Sequence, residues 1–137
     1  IERAHGGYAF FTPSSTYHRF IPGLLGGKMS SSIPESTIGF SEPDDVVKKK
    51  VMSALTGGRT TLAEQKAMGG EPSHCSLFML NLFHMVEDDA LLEEIRRKCM
   101  QGEMMCGQCK KETAERVLAY LKEFREKMDE TAHMVEV

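Results

Sequence analysis

No tryptophan occurs in the 137 residues, and there are only seven Phe and three Tyr against ten Met. A core must therefore rest on aliphatic side chains and methionine. Basic charge is not in excess, since the formal net charge is −3. That argues against a protein that coats nucleic acid non-specifically, and leaves room for a local basic patch. No apolar run approaches the ~20 residues of a membrane helix. Cysteine, at four residues, is too sparse for a disulfide-dense secreted scaffold. The first residue is Ile1 rather than Met and no signal-peptide pattern follows, so the sequence reads as a piece of something longer. What is present, 41% hydrophobic and 27% charged residues, is the composition of a folded, soluble chain. Its length allows one domain or the end of a larger protein.

The two parts of the chain differ in kind. Residues 1–41 hold Gly6, Gly7, Gly23, Gly26, Gly27, Gly39, Pro13, Pro22 and Pro34, with a serine run from Ser30 to Ser32. This is loop and turn chemistry that cannot bury a core alone. From residue 42 to 137 the pattern is helical. Ser41 is expected to cap a first helix that has Pro43 near its start. Val46, Val47, Val51 and Leu55 form its apolar face, and Gly57-Gly58 end it. Thr61-Leu62-Ala63-Glu64 reads as a capping box for a short helix through Met68, closed by Gly69-Gly70. Ser73 opens a third helix, apolar on more than one face through Leu77, Phe78, Leu80, Leu82, Phe83 and Met85, and so the most buried. Glu87-Asp88-Asp89 starts a fourth with Leu91, Leu92 and Ile95, ending near Gly102. A last helix runs from about Gln108 towards Met134, with Val117, Leu118, Leu121, Phe124 and Met128 as its stripe. The expected fold is mainly α: a Gly/Pro-rich arm, then a helical bundle.

Three groups of residues carry chemistry. In Gly26-Gly27-Lys28-Met29-Ser30-Ser31-Ser32 the glycines permit close backbone approach to a ligand. Lys28 offers a mobile point charge, and the hydroxyls and N–H groups add donors for anionic oxygens. On composition alone the same stretch also reads as a flexible polar linker. Cys75, Cys99, Cys106 and Cys109 are separated by 23, 6 and 2 residues. Four thiolates suit zinc or an iron–sulfur cluster, and the alternative is four small buried hydrophobes. Among the basic residues, Arg59 follows two glycines at a helix start and Lys110-Lys111 follow Cys109. Lys48-Lys49-Lys50 cannot share one helix face and read as a solvated surface. His5, His18, His74, His84 and His133, the acidic run Glu87 to Asp89, and Met104-Met105 show no spacing that demands chemistry.

Lys28-Met29-Ser30-Ser31-Ser32 resembles the Lys-Met-Ser-Lys-Ser signature of class I aminoacyl-tRNA synthetases. Pro22-Gly23-Leu24-Leu25-Gly26-Gly27, Gly57-Gly58-Arg59-Thr60-Thr61, Gly69-Gly70, Phe83 to Asp89 and Gly107-Gln108-Cys109-Lys110-Lys111 narrow the likeness to the tryptophanyl-tRNA synthetase family, archaeal and eukaryotic type. The resemblance implies a parent enzyme that activates tryptophan with ATP and Mg2+ and charges tRNA(Trp). Residues 1–41 would then end its α/β catalytic domain, and residues 42–137 would be a helical anticodon-binding domain. It also implies roles. Gly27, Lys28, Met29 and Ser30 would bind ATP, and Lys28, Ser30 and Ser32 would stabilise charge as pyrophosphate leaves. Ser31 stands where the family has its second lysine, so a cation is missing from that loop. Arg59, Thr60, Lys110 and Lys111 would face tRNA, with Thr60 in place of a frequent Asp. The four cysteines match a pattern that holds a [4Fe–4S] cluster in some family members, with zinc the second choice. Their first gap is one residue longer here. The family's His-Ile-Gly-His motif does not occur in the sequence, so the isolated chain is expected not to form the adenylate. A homodimer is expected for the whole enzyme, a monomer for this chain, with a cytoplasmic location and no membrane partner. The competing readings are a tyrosyl-tRNA synthetase and a non-catalytic, metal-dependent tRNA-binding module.

Overall fold

A computed structural model describes residues 14–18 and 20–134. Residues 1–13 lie outside it, and with them Gly6, Gly7, Pro13 and His5. Among the described residues the chain is mainly helical, and the one β pairing is an isolated bridge between Ser30 and Ile33. Helix α1 spans Asp44–Ser53, α2 spans Leu62–Met68 and α3 spans Ser76–Leu80; α4 spans Asp89–Met100 and α5 spans Cys106–Thr131. A π-helical turn, Asn81–Met85, prolongs α3. Among the described residues no helix is long and apolar enough to cross a membrane.

The core lies where α1, α3 and α5 meet, on Val47, Val51, Ala54, Leu77, Ala114, Val117 and Leu121. Leu24 joins it from the arm. The arm is tied on by backbone: Leu55 N–H donates to Leu24 O at 2.7 Å, and Ser76 N–H donates to Leu55 O at 3.2 Å. Side chains complete the junction. Lys50, 8% exposed, donates to Thr37 O at 3.1 Å and pairs with Glu42. Arg125 of α5 donates to Phe40 O and Glu42 O and pairs with Asp44. Phe40 stacks on Phe124 at 4.5 Å between ring centroids.

The structure departs from the sequence pattern at several positions. Ser41 does not cap α1. Glu42 N–H closes a turn onto Gly39 O, which leaves Ser41 on the turn and Pro43 as the residue before the helix. Helix α1 ends at Ser53 because Ala54 is extended, so Leu55 leaves the stripe and is half exposed. The Thr61 capping box forms with both reciprocal bonds. Ser73 does not open α3. Pro72–His74 is a 3-10 turn, and Cys75 is the cap, its thiol accepting the Phe78 N–H at 3.4 Å. In that helix Leu77 and Met79 are buried, but Phe83 is exposed. Leu91 and Met128 are also exposed rather than packed. Helix α5 starts two residues earlier than expected, at Cys106. Lys50 is buried and paired, while Lys48 and Lys49 are exposed as expected.

Candidate functional site

The serine-rich loop stands on a tight glycine turn. Gly23 N–H donates to Gly27 O at 2.8 Å and Gly26 N–H to Gly23 O at 2.9 Å. Gly26 has φ +85°, a conformation a side chain disfavours. The far end of the loop is pinned by Ser36, 3% exposed, whose Oγ accepts the Ser30 N–H at 3.0 Å and donates to Ile33 O at 2.7 Å. Ser30 Oγ accepts the Ser32 N–H at 3.3 Å. Between these anchors Lys28, Ser31 and Ser32 are exposed, and among the described residues no carboxylate pairs with Lys28. No atom lies within 4 Å of where a Gly27 side chain would start. Met29 lies against Gly23 and lines an apolar cavity of about 340 Å³ between arm and helices, with Pro22, Leu80, His84 and Tyr120. The loop thus presents a cation and hydroxyls from fixed ends.

The cysteines gather where α2 and α4 interlock. Gly69 (φ +67°) and Gly102 (φ +71°) let the two helix ends pass. A side chain on Gly69 would start 1.7 Å from Met100 O, and one on Gly102 would start 2.4 Å from Gln65 O. This crossing delivers Cys99, the turn before α3 delivers Cys75, and the first turn of α5 delivers Cys106 and Cys109. None of the four is joined in a disulfide. Burial pushes the Cys109 thiol up to about 11, helped by the neighbouring Cys75 sulfur and opposed by a hydrogen bond from Thr113. Cys99 is raised for the same first reason, then by Cys75 and Cys106, against the Gly70 N–H. The four sulfurs therefore share one neighbourhood. Its wall has no space for side chains: one on Gly58 would start 2.4 Å from Cys106 Sγ, and one on Gly70 would start 2.9 Å from Cys99 Sγ.

Among the described residues no three His, Cys, Asp or Glu side chains are set to hold a metal ion. A single zinc needs all its sulfurs at about 2.3 Å from one point. In a four-iron cluster each thiolate takes its own iron, so the sulfurs spread around a larger group. The glycine-walled cradle and its all-thiol donor set fit that chemistry.

Three buried polar side chains back the cage. Asn81 Nδ2 donates to Leu77 O at 3.0 Å and to Thr113 Oγ1 at 2.9 Å, and both residues are fully buried. Thr113 lies one helical turn after Cys109. Gln65, also buried, accepts the Arg59 N–H at 2.9 Å. None of the three is picked out by a motif. The signal available was a polar residue at a position where the helical pattern points inward.

The basic residues are held unequally. Arg59 Nε donates to Gly69 O at 2.9 Å, and its guanidinium pairs with Glu71 at 2.9 Å while staying one-third exposed. Thr60 and Lys111 are exposed. Lys110 reaches Met52 O at 2.8 Å, where a cation at the end of α1 meets its dipole favourably. Because Gly58 abuts Cys106, Arg59 and the first turns of α5 are neighbours. The structure brings the cysteines and Arg59 together and leaves Lys28 on the separate arm.

The tRNA synthetases of class I (W and Y) form a family whose profile matches residues 1–122. Over 129 residues the chain is 53% identical to the tryptophan–tRNA ligase of Archaeoglobus fulgidus, covering 94% of this chain and 31% of that protein. It is 52% identical over 123 residues to the same-named enzyme of Methanocaldococcus jannaschii, covering 90% and 33%. The crystal structure of tryptophanyl-tRNA synthetase from Aeropyrum pernix matches with a TM-score of 0.84 at 40% identity, over 94% of this chain and 35% of that one. The chain spans about a third of the length of these relatives.

Proposed function

The chain belongs to the class I tRNA synthetases of the W and Y family, and we propose that it is the part of a tryptophan–tRNA ligase that carries the ATP-phosphate loop and the anticodon-binding helices. Residues 1–41 close the catalytic domain and residues 42–137 bind tRNA(Trp). The observation that carries this reading is the presentation of Lys28-Met29-Ser30-Ser31-Ser32. It is an exposed cation and hydroxyl loop on a glycine turn, anchored at Ser30 by buried Ser36. Such a loop acts by position and electrostatics. Gly27 leaves room for phosphate, Lys28 supplies the charge, and Ser30 and Ser32 add hydrogen bonds as pyrophosphate departs. With Ser31 in place of a second lysine, Mg2+ or the remainder of the enzyme supplies the balance. Met29 contacts the adenine side.

On the helices, Arg59, Thr60, Lys110 and Lys111 form the tRNA-facing set. Unstacked anticodon bases are read by planar and hydrogen-bonding groups, and Arg59 is already oriented by Gly69 and Glu71. Cys75, Cys99, Cys106 and Cys109 hold a [4Fe–4S] cluster, in preference to zinc. When bound, it supplies a rigid multi-thiolate crosslink between the start of α3, α4 and α5. The whole enzyme works as a cytoplasmic homodimer, and this chain alone is monomeric.

The test is made on the intact enzyme from the parent gene. Pyrophosphate exchange should depend on tryptophan and not on tyrosine, and the 137-residue chain should show none. Arg59→Ala should raise the KM for tRNA with little effect on exchange. Equal losses in both steps would remove the anticodon assignment. Anaerobic purification with iron, sulfide and zinc assays checks the cluster: about four iron and four sulfide per chain are expected.

A further inference from the structure

Helix α2 buries a single residue, and it is polar: Gln65, 3% exposed. Its two ends are used differently. Oε1 accepts the Arg59 backbone N–H at 2.9 Å. Nε2 is buried and, among the described residues, has no hydrogen-bond partner. Folded proteins seldom leave a buried amide donor unused, so each such case calls for a physical reason. Gly70 shows what Nε2 lies beside. A side chain starting there would be 2.9 Å from Cys99 Sγ and 3.1 Å from Gln65 Nε2. Gly58 shows the other end, where a side chain would start 2.4 Å from Cys106 Sγ and 3.4 Å from Gln65 Oε1. The carboxamide therefore runs along the wall of the thiol cage, its donor beside Cys99 and its acceptor on the Arg59 backbone.

A neutral thiol is a weak acceptor. A metal-bound thiolate is an anionic one, and donors around a metal site commonly fix the orientation of its ligands. We infer that Gln65 couples the thiol cage to the RNA-facing arginine: its Nε2–H donates to sulfur once the four cysteines hold their centre, while its Oε1 holds Arg59, so that filling the cage stiffens Arg59. The inference rests on the metal-bound, RNA-binding reading proposed above and names the residue that joins its two halves. Gln65 is a positioning residue. It touches neither ATP nor, on this reading, the RNA.

The test compares the chain loaded anaerobically with iron and sulfide against the metal-free chain. Loading should slow hydrogen exchange of the Arg59 amide about tenfold, and should tighten binding of an anticodon stem-loop RNA. Gln65→Glu keeps the acceptor for Arg59 and removes the donor. In the metal-free state its Arg59 amide should exchange as in wild type, and the slowing on loading should vanish. Gln65→Met, which carries no charge, is the second variant should Glu hinder loading. It loses both ends, so its Arg59 amide should exchange fast in either state. Equal slowing in wild type and in a loaded Gln65 variant overturns the coupler and leaves the metal reading standing. A wild-type chain that takes up no iron overturns the metal reading, and the coupler with it.

Discussion

Cys75 is 8% exposed and the Cys99 and Cys106 sulfurs abut glycines with no room for a side chain, whereas Lys28, Ser31 and Ser32 stand in solvent on a loop held at its two ends. One region is built by the packing of helices, the other by a handful of local hydrogen bonds. The difference suits the proposed ligand of each. A multi-thiolate centre needs its ligands placed by the fold, because anionic sulfurs repel and resist burial. A loop that closes over a leaving phosphate must move, and moving segments come from the weakly packed part of a protein.

The largest loss is expected from the helix core. Leu77 is completely buried and its carbonyl accepts from Asn81, so it supports both the helix packing and the polar backing of the cage. Leu77→Ala should cost about 2–5 kcal/mol in denaturant unfolding. It should also lower iron uptake while leaving the glycine turn at Gly23–Gly27 intact by hydrogen exchange.

Between the two regions lies the junction, and its effects should be intermediate. Arg125→Ala removes bonds to Phe40 O, Glu42 O and Asp44. The carbonyl bonds matter more than the exposed ion pair, and a loss of roughly 1–3 kcal/mol is expected. Amide exchange of residues 39–42 should rise more than that of α3. The Glu42–Lys50 contact adds a pH signature. The Lys50 ammonium holds the Glu42 carboxyl below its ordinary value of 4.5. A carboxylate lowered in the folded state stabilises fully above its unfolded value and loses that contribution as pH falls through the folded one. The stability difference between wild type and Glu42→Gln should therefore be flat from pH 7 to about 5 and shrink below pH 4.

Local rules carried the helices and failed at their edges. Thr61 and Glu64 formed their capping box because both partners lie within one turn. Ser41 lost its capping role to a turn set by Gly39 and Glu42, and Leu55 left its stripe because Ala54 is extended. Neither event follows from residue spacing on one helix. At the site, the spacing of Cys106 and Cys109 puts two thiols on one helix turn, while the approach of Cys75 and Cys99 depends on the packing of other elements. Gln65, Asn81 and Thr113 stayed hidden because their significance depends on contacts between elements far apart in sequence, 32 residues in the Asn81–Thr113 bond. Lys50 was hidden for the opposite reason: a run of three lysines looks solvated, and only the fold of the arm brings Glu42 and the Thr37 carbonyl to one of them.

Lys28→Ala is the smallest change by stability and the one that sharpens the contrast most. Lys28 is exposed and, among the described residues, has no ion-pair partner, so unfolding free energy should move by less than about 0.5 kcal/mol. Iron uptake should be unchanged, because nothing in the cage leans on the loop. In the intact enzyme the same substitution should lower tryptophan-dependent pyrophosphate exchange by roughly 100- to 1,000-fold, the scale of losing one charge-stabilising donor. The loss should fall on kcat more than on the KM for tryptophan, since on the proposed reading the lysine acts on phosphate charge as it develops. A silent Lys28 in exchange, with stability also unmoved, would return the loop to a polar linker and leave the proposed chemistry to the cysteines and the basic residues of the helices.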